Sequence, residues 1–158
     1  MTTAIYAGSF DILTRGHINI IQKMAYMFSS SHILVSNNPE KKYIFSAYER
    51  LKMIEAYKKD SHFPFHCAIW DYLTIDYMKT EPNRILVRGI RNTADILDEM
   101  KLADVNRELS GIETVFIPCS NSTRNVSSSL VKELWKYGRD ISPFVPAYVE
   151  EMMKGVPR

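Results

Sequence analysis

Five short apolar runs, separated by segments of helical periodicity, constrain the fold of this chain more than any other feature of its sequence. The runs lie at Ala4–Ala7, Ile33–Val35, Phe65–Ile69, Ile85–Val87 and Val115–Ile117. Apolar runs of strand length that alternate with helical patterns are typical of a parallel sheet with helices on both faces. The pattern therefore predicts a single α/β domain over residues 1–158, built on a Rossmann-like, doubly wound, five-stranded parallel sheet.

The segments between the runs supply the predicted helices. One helix follows His17, and a second follows the capping box Ser46–Glu49. The remaining helices are predicted at Leu73–Met78, Ile96–Leu109, Leu130–Trp135 and Val145–Met153. In the longest of them, the apolar side chains of Met100, Ala103 and Leu109 are spaced along one face, as in an amphipathic helix.

The composition argues against several classes of protein. A formal net charge of +2 is small for a nucleic-acid-binding domain, and no apolar run approaches the roughly 20 residues that span a bilayer. Cys67 and Cys119 are too few and too isolated for a disulfide framework. The N-terminus lacks the basic region and long apolar stretch of a signal peptide. We therefore expect a cytoplasmic protein that binds neither nucleic acid nor membrane.

The segments that follow the predicted strands contain most of the unusual chemistry of the chain. These segments are Gly8–His17, Ser36–Lys42, Tyr72–Thr74, Arg88–Arg91 and Pro118–Ser129. In open parallel sheets, ligands bind outside the carboxyl ends of the strands, at the point where the strand order reverses. The sequence therefore predicts a ligand site formed by these segments at one edge of the sheet.

The first of these segments has the features of a phosphate-binding turn. Gly8 permits a sharp turn and a close approach of a ligand to the main chain. Ser9 offers a hydroxyl and an amide to an anion, and the helix that begins near Gly16 presents free amide groups at its positive end. His17, at the head of that helix, can donate an imidazole N–H to the same phosphate. The alternative is that Thr14 only caps the helix and that His17 is an exposed first-turn residue.

Two further segments carry positive charge. Arg88 and Arg91 flank a glycine at a strand end, an arrangement suited to bidentate binding of phosphate. Lys41 lies in the polar loop after the second strand and can reach over a bound polyphosphate, although paired lysines on a loop are usually solvated. Glu99 either pairs with Arg91 or accepts hydrogen bonds from a ribose or base. Asp95 is equally suited to the first turn of the same helix.

Three consecutive serines, Ser127, Ser128 and Ser129, open a helix after the fifth strand. Serine is a common N-cap, and hydroxyl groups together with helix amides also form an anion cradle. Two such cradles at neighbouring strand ends indicate a polyphosphate ligand. No nucleophile–base pair and no cluster with metal-ligand spacing accompanies them. The site is therefore expected to act by positioning and charge stabilisation, as in phosphoryl and nucleotidyl transfer.

A set of short motifs extends over nearly the whole chain. They are Gly-Ser-Phe-Asp at 8–11, Thr-x-Gly-His at 14–17, Pro39-Glu-Lys-Lys42, Glu49-Arg50, Arg88-Gly-Ile-Arg91, Ala94-Asp95, Glu99-Met-Lys-Leu-Ala103, Asn106-Arg107 and Ser127-Ser-Ser-Leu-Val-Lys-Glu133. In order and spacing they resemble the motifs of the bacterial phosphopantetheine adenylyltransferases, a family of the HxGH nucleotidyltransferase superfamily. Two departures from the family pattern are Ile12, where proline is usual, and the absence of aromatic residues before the serines. Stacking of Arg124 on the adenine is one way to replace those aromatic residues.

The resemblance implies one nucleotidyltransferase domain and a defined reaction. The family transfers AMP from ATP to 4′-phosphopantetheine and so gives dephospho-coenzyme A and pyrophosphate in coenzyme A biosynthesis. The resemblance further implies in-line attack without a covalent intermediate and Mg²⁺ bound with the ATP, without metal ligands from protein side chains. It also implies self-association as a homohexamer.

The resemblance also assigns roles to individual residues. It implies that His17 stabilises the transition state and that Lys41 and Arg91 complete the catalytic set. It implies ATP binding by Ser9, Phe10, His17, Gly89, Ile90, Arg91, Glu99, Thr123, Arg124, Asn125, Val126, Ser127, Ser128 and Ser129. It implies phosphopantetheine binding by Ser9, Lys41, Thr74 and Arg88.

Two alternative functions stand beside this one. The first is a sister nucleotidyltransferase with another nucleotide or acceptor, such as a cytidylyltransferase or a nicotinamide-mononucleotide adenylyltransferase. The motifs at Arg88–Arg91 and Ser127–Ser129 argue against it. The second is a nucleotide-binding module that has lost activity, and the joint presence of His17, Lys41 and both arginines argues against that alternative.

Overall fold

All five predicted strands are present in the computed structural model, which describes residues 1–158. The strands are β1 (Thr3–Gly8), β2 (Ser30–Ser36), β3 (His66–Trp70), β4 (Arg84–Ile90) and β5 (Thr114–Pro118). The helices are α1 (Arg15–Met27), α2 (Ala47–Asp60), α3 (Thr74–Lys79), α4 (Thr93–Ser110), α5 (Ser128–Lys136) and α6 (Ala147–Met153). No helix combines the length and the apolar character that crossing a membrane requires.

The helices that matter for the site begin at side chains that cap them. The hydroxyl of Thr14 accepts a hydrogen bond from the backbone N–H of His17 at the start of α1. Ser46 and Glu49 form the predicted capping box of α2, and Ser127 caps α5 by accepting from the N–H of Leu130. Each cap satisfies one amide that a helix start leaves free, so the chain turns from strand-end loop into helix at a defined residue.

The sheet is parallel throughout, with the strand order β3-β2-β1-β4-β5. Each of the four strand pairings is in parallel register; for example, Tyr6 of β1 lies between Ile33 of β2 and Val87 of β4. The chain adds strands outward from β1 in one direction as far as β3 and then crosses to β4 on the other side of β1. The order therefore reverses between β1 and β4, which is the predicted place for a ligand.

The two faces of the sheet have unequal cores, which confirms the predicted doubly wound arrangement. One face carries a cluster of 24 buried residues, contributed by the strands together with α1, α2, α5 and α6. The other face carries a cluster of 5 buried residues, to which α3 contributes Met78. Helix α4 lies beside α3 and contacts β4. Most of the apolar area that stabilises the domain is therefore on the α1 face.

Helix α4 differs from the amphipathic pattern predicted for it. None of its 18 residues is buried, and on the predicted apolar face Met100 is 48% and Leu109 is 63% exposed. Leu97, Leu102 and Val105 are also exposed large apolar side chains. The prediction of the helix is confirmed, but most of its large apolar side chains stay exposed in one copy of the chain, whereas Ile96 and Ala103 are half-buried.

Candidate active site

The carboxyl ends of the strands enclose one large cleft of ≈ 690 Å³. It opens at the reversal of strand order between β1 and β4. Of the predicted site residues, those that line the cleft are Ser9, Phe10, His17, Lys41, Thr74, Arg88, Gly89, Arg91, Glu99, Val126, Ser127, Ser128 and Ser129. Four predicted ATP-binding residues do not line it, namely Ile90, Thr123, Arg124 and Asn125. Segments far apart in sequence thus converge where parallel α/β sheets bind ligands.

The turn after β1 is shaped by Phe10. Its backbone has φ 47, in the left-handed region, and its ring packs edge-on against the rings of Tyr6 at 5.4 Å and His17 at 5.0 Å. A Cβ on Gly8 would lie 3.2 Å from the Phe10 ring, so a larger residue there crowds the turn. Phe10 itself is buried. Its clearest structural role is therefore to support the imidazole of His17.

His17 is held in one tautomer by the start of helix α1. The backbone N–H of Thr14 donates to Nδ1 of His17 at 3.1 Å, so Nδ1 carries the lone pair and the neutral ring carries its proton on Nε2. Burial, together with the smaller effect of the positive charge of Arg91, lowers the pKa of His17 to about 4. At neutral pH the side chain is thus an uncharged hydrogen-bond donor. The prediction that Thr14 caps the helix is confirmed, whereas the alternative of an exposed His17 is wrong because the capping box holds the ring partly buried.

The two arginines at the carboxyl end of β4, Arg88 within the strand and Arg91 just after it, are each held by a carboxylate of helix α4. Arg88 donates from Nε and Nη2 to the two carboxylate oxygens of Glu99, both at 2.6 Å, and from Nη1 to the Ala7 carbonyl at 3.2 Å. Arg91 pairs with Asp95 at 2.9 Å. The interpretation that Glu99 pairs with Arg91 is therefore wrong. Because both oxygens of Glu99 face Arg88, its first effect is to orient that guanidinium.

Lys41 lies in the loop between β2 and α2, is exposed, and lines the mouth of the cleft. The end of this loop is fastened to the turn after β1 by Asp11. The Asp11 carboxylate accepts from the backbone N–H groups of Ile44 and Phe45, each at 3.0 Å, and from Nζ of Lys132 at 3.0 Å. The loop that carries Lys41 therefore lies against the same turn as Ser9.

The start of helix α5 forms another wall of the cleft. The Ser127 hydroxyl accepts from the N–H of Leu130 at 3.1 Å, and the Ser128 hydroxyl donates to the Ile12 carbonyl at 2.7 Å. Two of the three serine hydroxyls are thus engaged within the protein, and the capping role predicted for serine holds at Ser127. The exposed Ser129 also lines the cleft. The free amides of this helix start are well placed to bind an anion.

From the sequence, no binding role was predicted for several residues of the cleft. Tyr43, Tyr72, Leu73, Asp95 and Cys119 also line it. Tyr72 and Leu73 are exposed large apolar side chains at its mouth. Tyr72, Leu73 and Cys119 lie in strand-end segments that the sequence places at the site, whereas Tyr43 lies just beyond the segment Ser36–Lys42. The chain brings no three histidine, cysteine, aspartate or glutamate side chains together as a metal-binding group.

Known proteins are similar to this chain in sequence or in fold. The model of the cytidylyltransferase-like family matches residues 5–134. The chain is similar to a phosphopantetheine adenylyltransferase of Flavobacterium johnsoniae, at 40% identity over 92% of this chain and 95% of the relative. It is similar to another of that name from Bifidobacterium animalis subsp. lactis, at 36% identity over 98% of both chains. A solved structure of a Vibrio parahaemolyticus protein, described as a nicotinate-nucleotide adenylyltransferase, has a TM-score of 0.66 at 17% identity. The structural alignment covers 98% of this chain and 93% of the Vibrio protein. At this low sequence identity the similarity concerns the fold alone.

Proposed function

Since this chain belongs to the cytidylyltransferase-like family, and within it to the phosphopantetheine adenylyltransferases, we propose that it transfers AMP from ATP to 4′-phosphopantetheine. The products are dephospho-coenzyme A and pyrophosphate, and the protein is a nucleotidyltransferase of coenzyme A biosynthesis. The observation that carries this proposal is the convergence of a neutral His17, two oriented arginines and a helix start on one cleft at the strand-order reversal.

The proposed binding mode follows from the two sides of the cleft. Ser9, Lys41, Thr74 and Arg88 bind the phosphopantetheine, with its phosphate on the β1 turn. The triphosphate of ATP lies toward Arg91 and the start of α5, where Ser129 and free amides meet it. Glu99 orients Arg88 through two hydrogen bonds of 2.6 Å and acts on the acceptor through that guanidinium. The adenine occupies the side toward residues 119–126, where Thr123, Arg124 and Asn125 approach it only if the loop adjusts.

The proposed reaction is a direct displacement at the α-phosphorus of ATP. An oxygen of the 4′-phosphate forms a bond to that phosphorus as the bond to the bridging oxygen breaks, and pyrophosphate leaves with the electron pair. The Nε2–H of His17 donates to an oxygen of the α-phosphate as negative charge accumulates there. No side chain forms a covalent bond in this step. Lys41, Arg88 and Arg91 hold the two phosphate groups in line and offset their mutual repulsion.

We propose that Mg²⁺ enters the site with ATP. The cleft carboxylates of Asp95 and Glu99 are both paired with arginines, which supports a cation held by phosphate oxygens rather than by protein side chains. Bound there, the metal ion would supply charge neutralisation of the leaving pyrophosphate. A net charge of +2 supports partners that are small anions rather than nucleic acid, and we place the protein in the cytoplasm with its soluble substrates.

We further propose that the chain self-associates, as a homohexamer, through the exposed apolar side of helix α4. The support for this is the set of Leu97, Leu102, Val105 and Leu109, which are exposed on a helix with no buried residue. Substitution Val105→Glu should lower the mass measured by light scattering. The matched substitution Met27→Glu, at an exposed methionine of α1, should leave the mass measured by light scattering unchanged. A wild-type chain that is monomeric throughout would contradict this part of the proposal.

The test of the proposed reaction is pyrophosphate release from a matrix of nucleotides and acceptors. The proposal predicts release from ATP with 4′-phosphopantetheine and Mg²⁺, with dephospho-coenzyme A identified by its mass. Release that requires CTP or another phosphorylated acceptor would instead indicate a sister nucleotidyltransferase. Binding of ATP by calorimetry without any release would indicate a module without activity.

A further inference from the structure

Arg50 of helix α2 is a cation in the interior of the protein. The residue is 1% exposed, and burial lowers the pKa of its guanidinium from the usual value. All its hydrogen-bond acceptors are neutral oxygens, and its charge lies over the ring of Tyr43 at 4.1 Å. A buried charge without a carboxylate partner costs free energy, so its hydrogen bonds must compensate for the lost hydration.

The hydrogen bonds of Arg50 join three separate parts of the chain. Nη1 donates to the carbonyl of Ser9 at 2.7 Å and to the carbonyl of Ser36 at 3.2 Å. Nε donates to the carbonyl of Phe45 at 3.1 Å, and Nη2 donates to Oδ1 of Asn37. One side chain thereby holds together the turn after β1, the end of β2, and both ends of the loop between β2 and α2.

That loop carries Lys41, midway between the two points that Arg50 holds. The hydroxyl of Tyr43 also joins the start of the loop to its end, because it accepts from the N–H of Asn38 at 2.6 Å, but only the hydrogen bonds of Arg50 reach the carbonyl of Ser9 as well. Asp11 fastens only the end of the loop, through the N–H groups of Ile44 and Phe45. The reach of Lys41 toward the phosphate turn therefore depends on the planar, forked geometry of one arginine.

We propose that Arg50 is a positioning residue for the acceptor phosphate, which holds the Lys41 loop against the Ser9 turn. The inference rests on the proposed function, in which Ser9 and Lys41 bind the phosphate of 4′-phosphopantetheine. On this proposal, Arg50 chiefly affects binding at the acceptor end of the cleft. Of the residues that the resemblance assigns to ATP, Arg50 forms a hydrogen bond only with Ser9, at its carbonyl, and with neither Arg91 nor helix α5.

The first experiment is Arg50→Lys, which keeps a positive charge but loses the fork. We expect the KM for 4′-phosphopantetheine to rise about tenfold, because charge-assisted hydrogen bonds are among the stronger ones a loop can lose. The KM for ATP and the nucleotide specificity should change by less than about twofold. Pyrophosphate release, with the other substrate held at saturation, gives both constants.

A double-mutant cycle separates positioning from general damage. If Arg50 acts through the loop, the loss caused by Arg50→Lys should largely disappear in a Lys41→Ala background, because the side chain that it positions is gone. Additive losses would overturn the proposal. If Arg50→Lys does not fold, Asn37→Ala replaces it in the cycle with Lys41→Ala. Asn37→Ala removes one acceptor of Arg50 and leaves the guanidinium in place, and additive losses would again overturn the proposal.

A control arginine away from the cleft is Arg84, whose side chain is 4% exposed and, unlike that of Arg50, pairs with a carboxylate, that of Glu81 at 3.1 Å. It donates to the carbonyl of Tyr77 and to the hydroxyl of Thr80 at 2.6 Å, at the opposite end of β4 from the cleft. Arg84→Lys should lower the thermal midpoint to a similar degree and leave both KM values unchanged. An equal rise of both KM values in the Arg50 variant would also overturn the proposal. Absence of pyrophosphate release from wild-type protein would contradict the proposed function instead.

Discussion

Lowering the pH from 7 to 5 should leave His17 almost entirely neutral, in contrast to an ordinary histidine. Burial lowers its pKa from 6.5 to about 4, with Arg91 adding to the effect. At pH 5 a group with that pKa is about one tenth protonated, whereas a group at 6.5 is nearly fully protonated. The hydrogen bond from the N–H of Thr14 to Nδ1 works in the same direction, because protonation of Nδ1 would abolish it. The Nε2–H donor therefore persists well into acid.

The same shift makes stability depend on pH with a definite sign. Between pH 6.5 and about 4 the unfolded chain binds a proton at His17 that the folded chain does not bind. The free energy of unfolding therefore falls as the pH falls through this window, and the contribution is fully present only above pH 6.5. At pH 5 the loss due to His17 amounts to at most about 2 kcal/mol, with solvent contact of the partly buried ring reducing it.

The assay is a titration of the His17 ring followed by NMR, with His17→Gln used to assign its signals. The expected result is a midpoint near 4 and a neutral Nε2–H tautomer at pH 6. Chemical denaturation at several pH values measures the linked loss of stability. A midpoint near 6.5, or a proton on Nδ1 of the neutral ring, would refute the reasoning.

Two further substitutions test other contacts of the cleft. Arg88→Lys keeps the charge but loses the two hydrogen bonds of 2.6 Å to Glu99, so we expect the KM for 4′-phosphopantetheine to rise about tenfold in steady-state kinetics. An unchanged KM would show that the fork is not needed. In Gly89→Val, a Cβ at 2.9 Å from Cγ1 of Ile20 should overpack the core below the cleft and cost about 1–3 kcal/mol in urea unfolding. An unchanged unfolding midpoint would contradict this packing argument.

The strands could be predicted from the sequence because each of them contains a short run rich in apolar residues, such as Ala4–Ala7 in β1 and Ile33–Val35 in β2. The residues at which the strands end were predicted less accurately. β4 continues beyond Val87 through Arg88 and Gly89, because these residues pair in register with Phe116 and Ile117 of β5. Because Arg88 is polar, the apolar run ends before it, and the sequence did not indicate that the strand continues. Strand pairing depends on hydrogen bonds of the backbone rather than on side chains.

Helix α4 shows why an apolar pattern does not always identify a core face. The spacing of Met100 and Leu109 predicted the helix correctly, yet both side chains are exposed in a single chain. The spacing of apolar residues indicates which face of a helix is apolar. It does not indicate whether that face packs within the chain or against another copy. Self-association is the explanation that we propose for these residues.

The chemistry of the site could be predicted from strand-end positions, but its internal pairing could not. Glu99 meets Arg88 because helix α4 returns across the end of β4, a geometry that no local spacing specifies. Arg50 appeared in the sequence only as part of a motif, since arginine on a helix is ordinarily solvated. Its burial depends on three carbonyls brought together by the fold.

The measurement that tests the central claim most directly is pyrophosphate release from ATP, 4′-phosphopantetheine and Mg²⁺ by wild-type protein and by His17→Ala. Loss of one transition-state donor should raise the barrier by about 2.7–4 kcal/mol and so lower kcat at least a hundredfold. Thr14→Ala is the control for damage to the capping box, because it removes the hydroxyl that accepts from the backbone N–H of His17 but keeps the imidazole and the Thr14 N–H that donates to it. Its kcat should stay within about tenfold of wild type. A folded His17→Ala protein with wild-type kcat would contradict the role assigned to His17, and a folded wild-type protein without release would contradict the reaction itself.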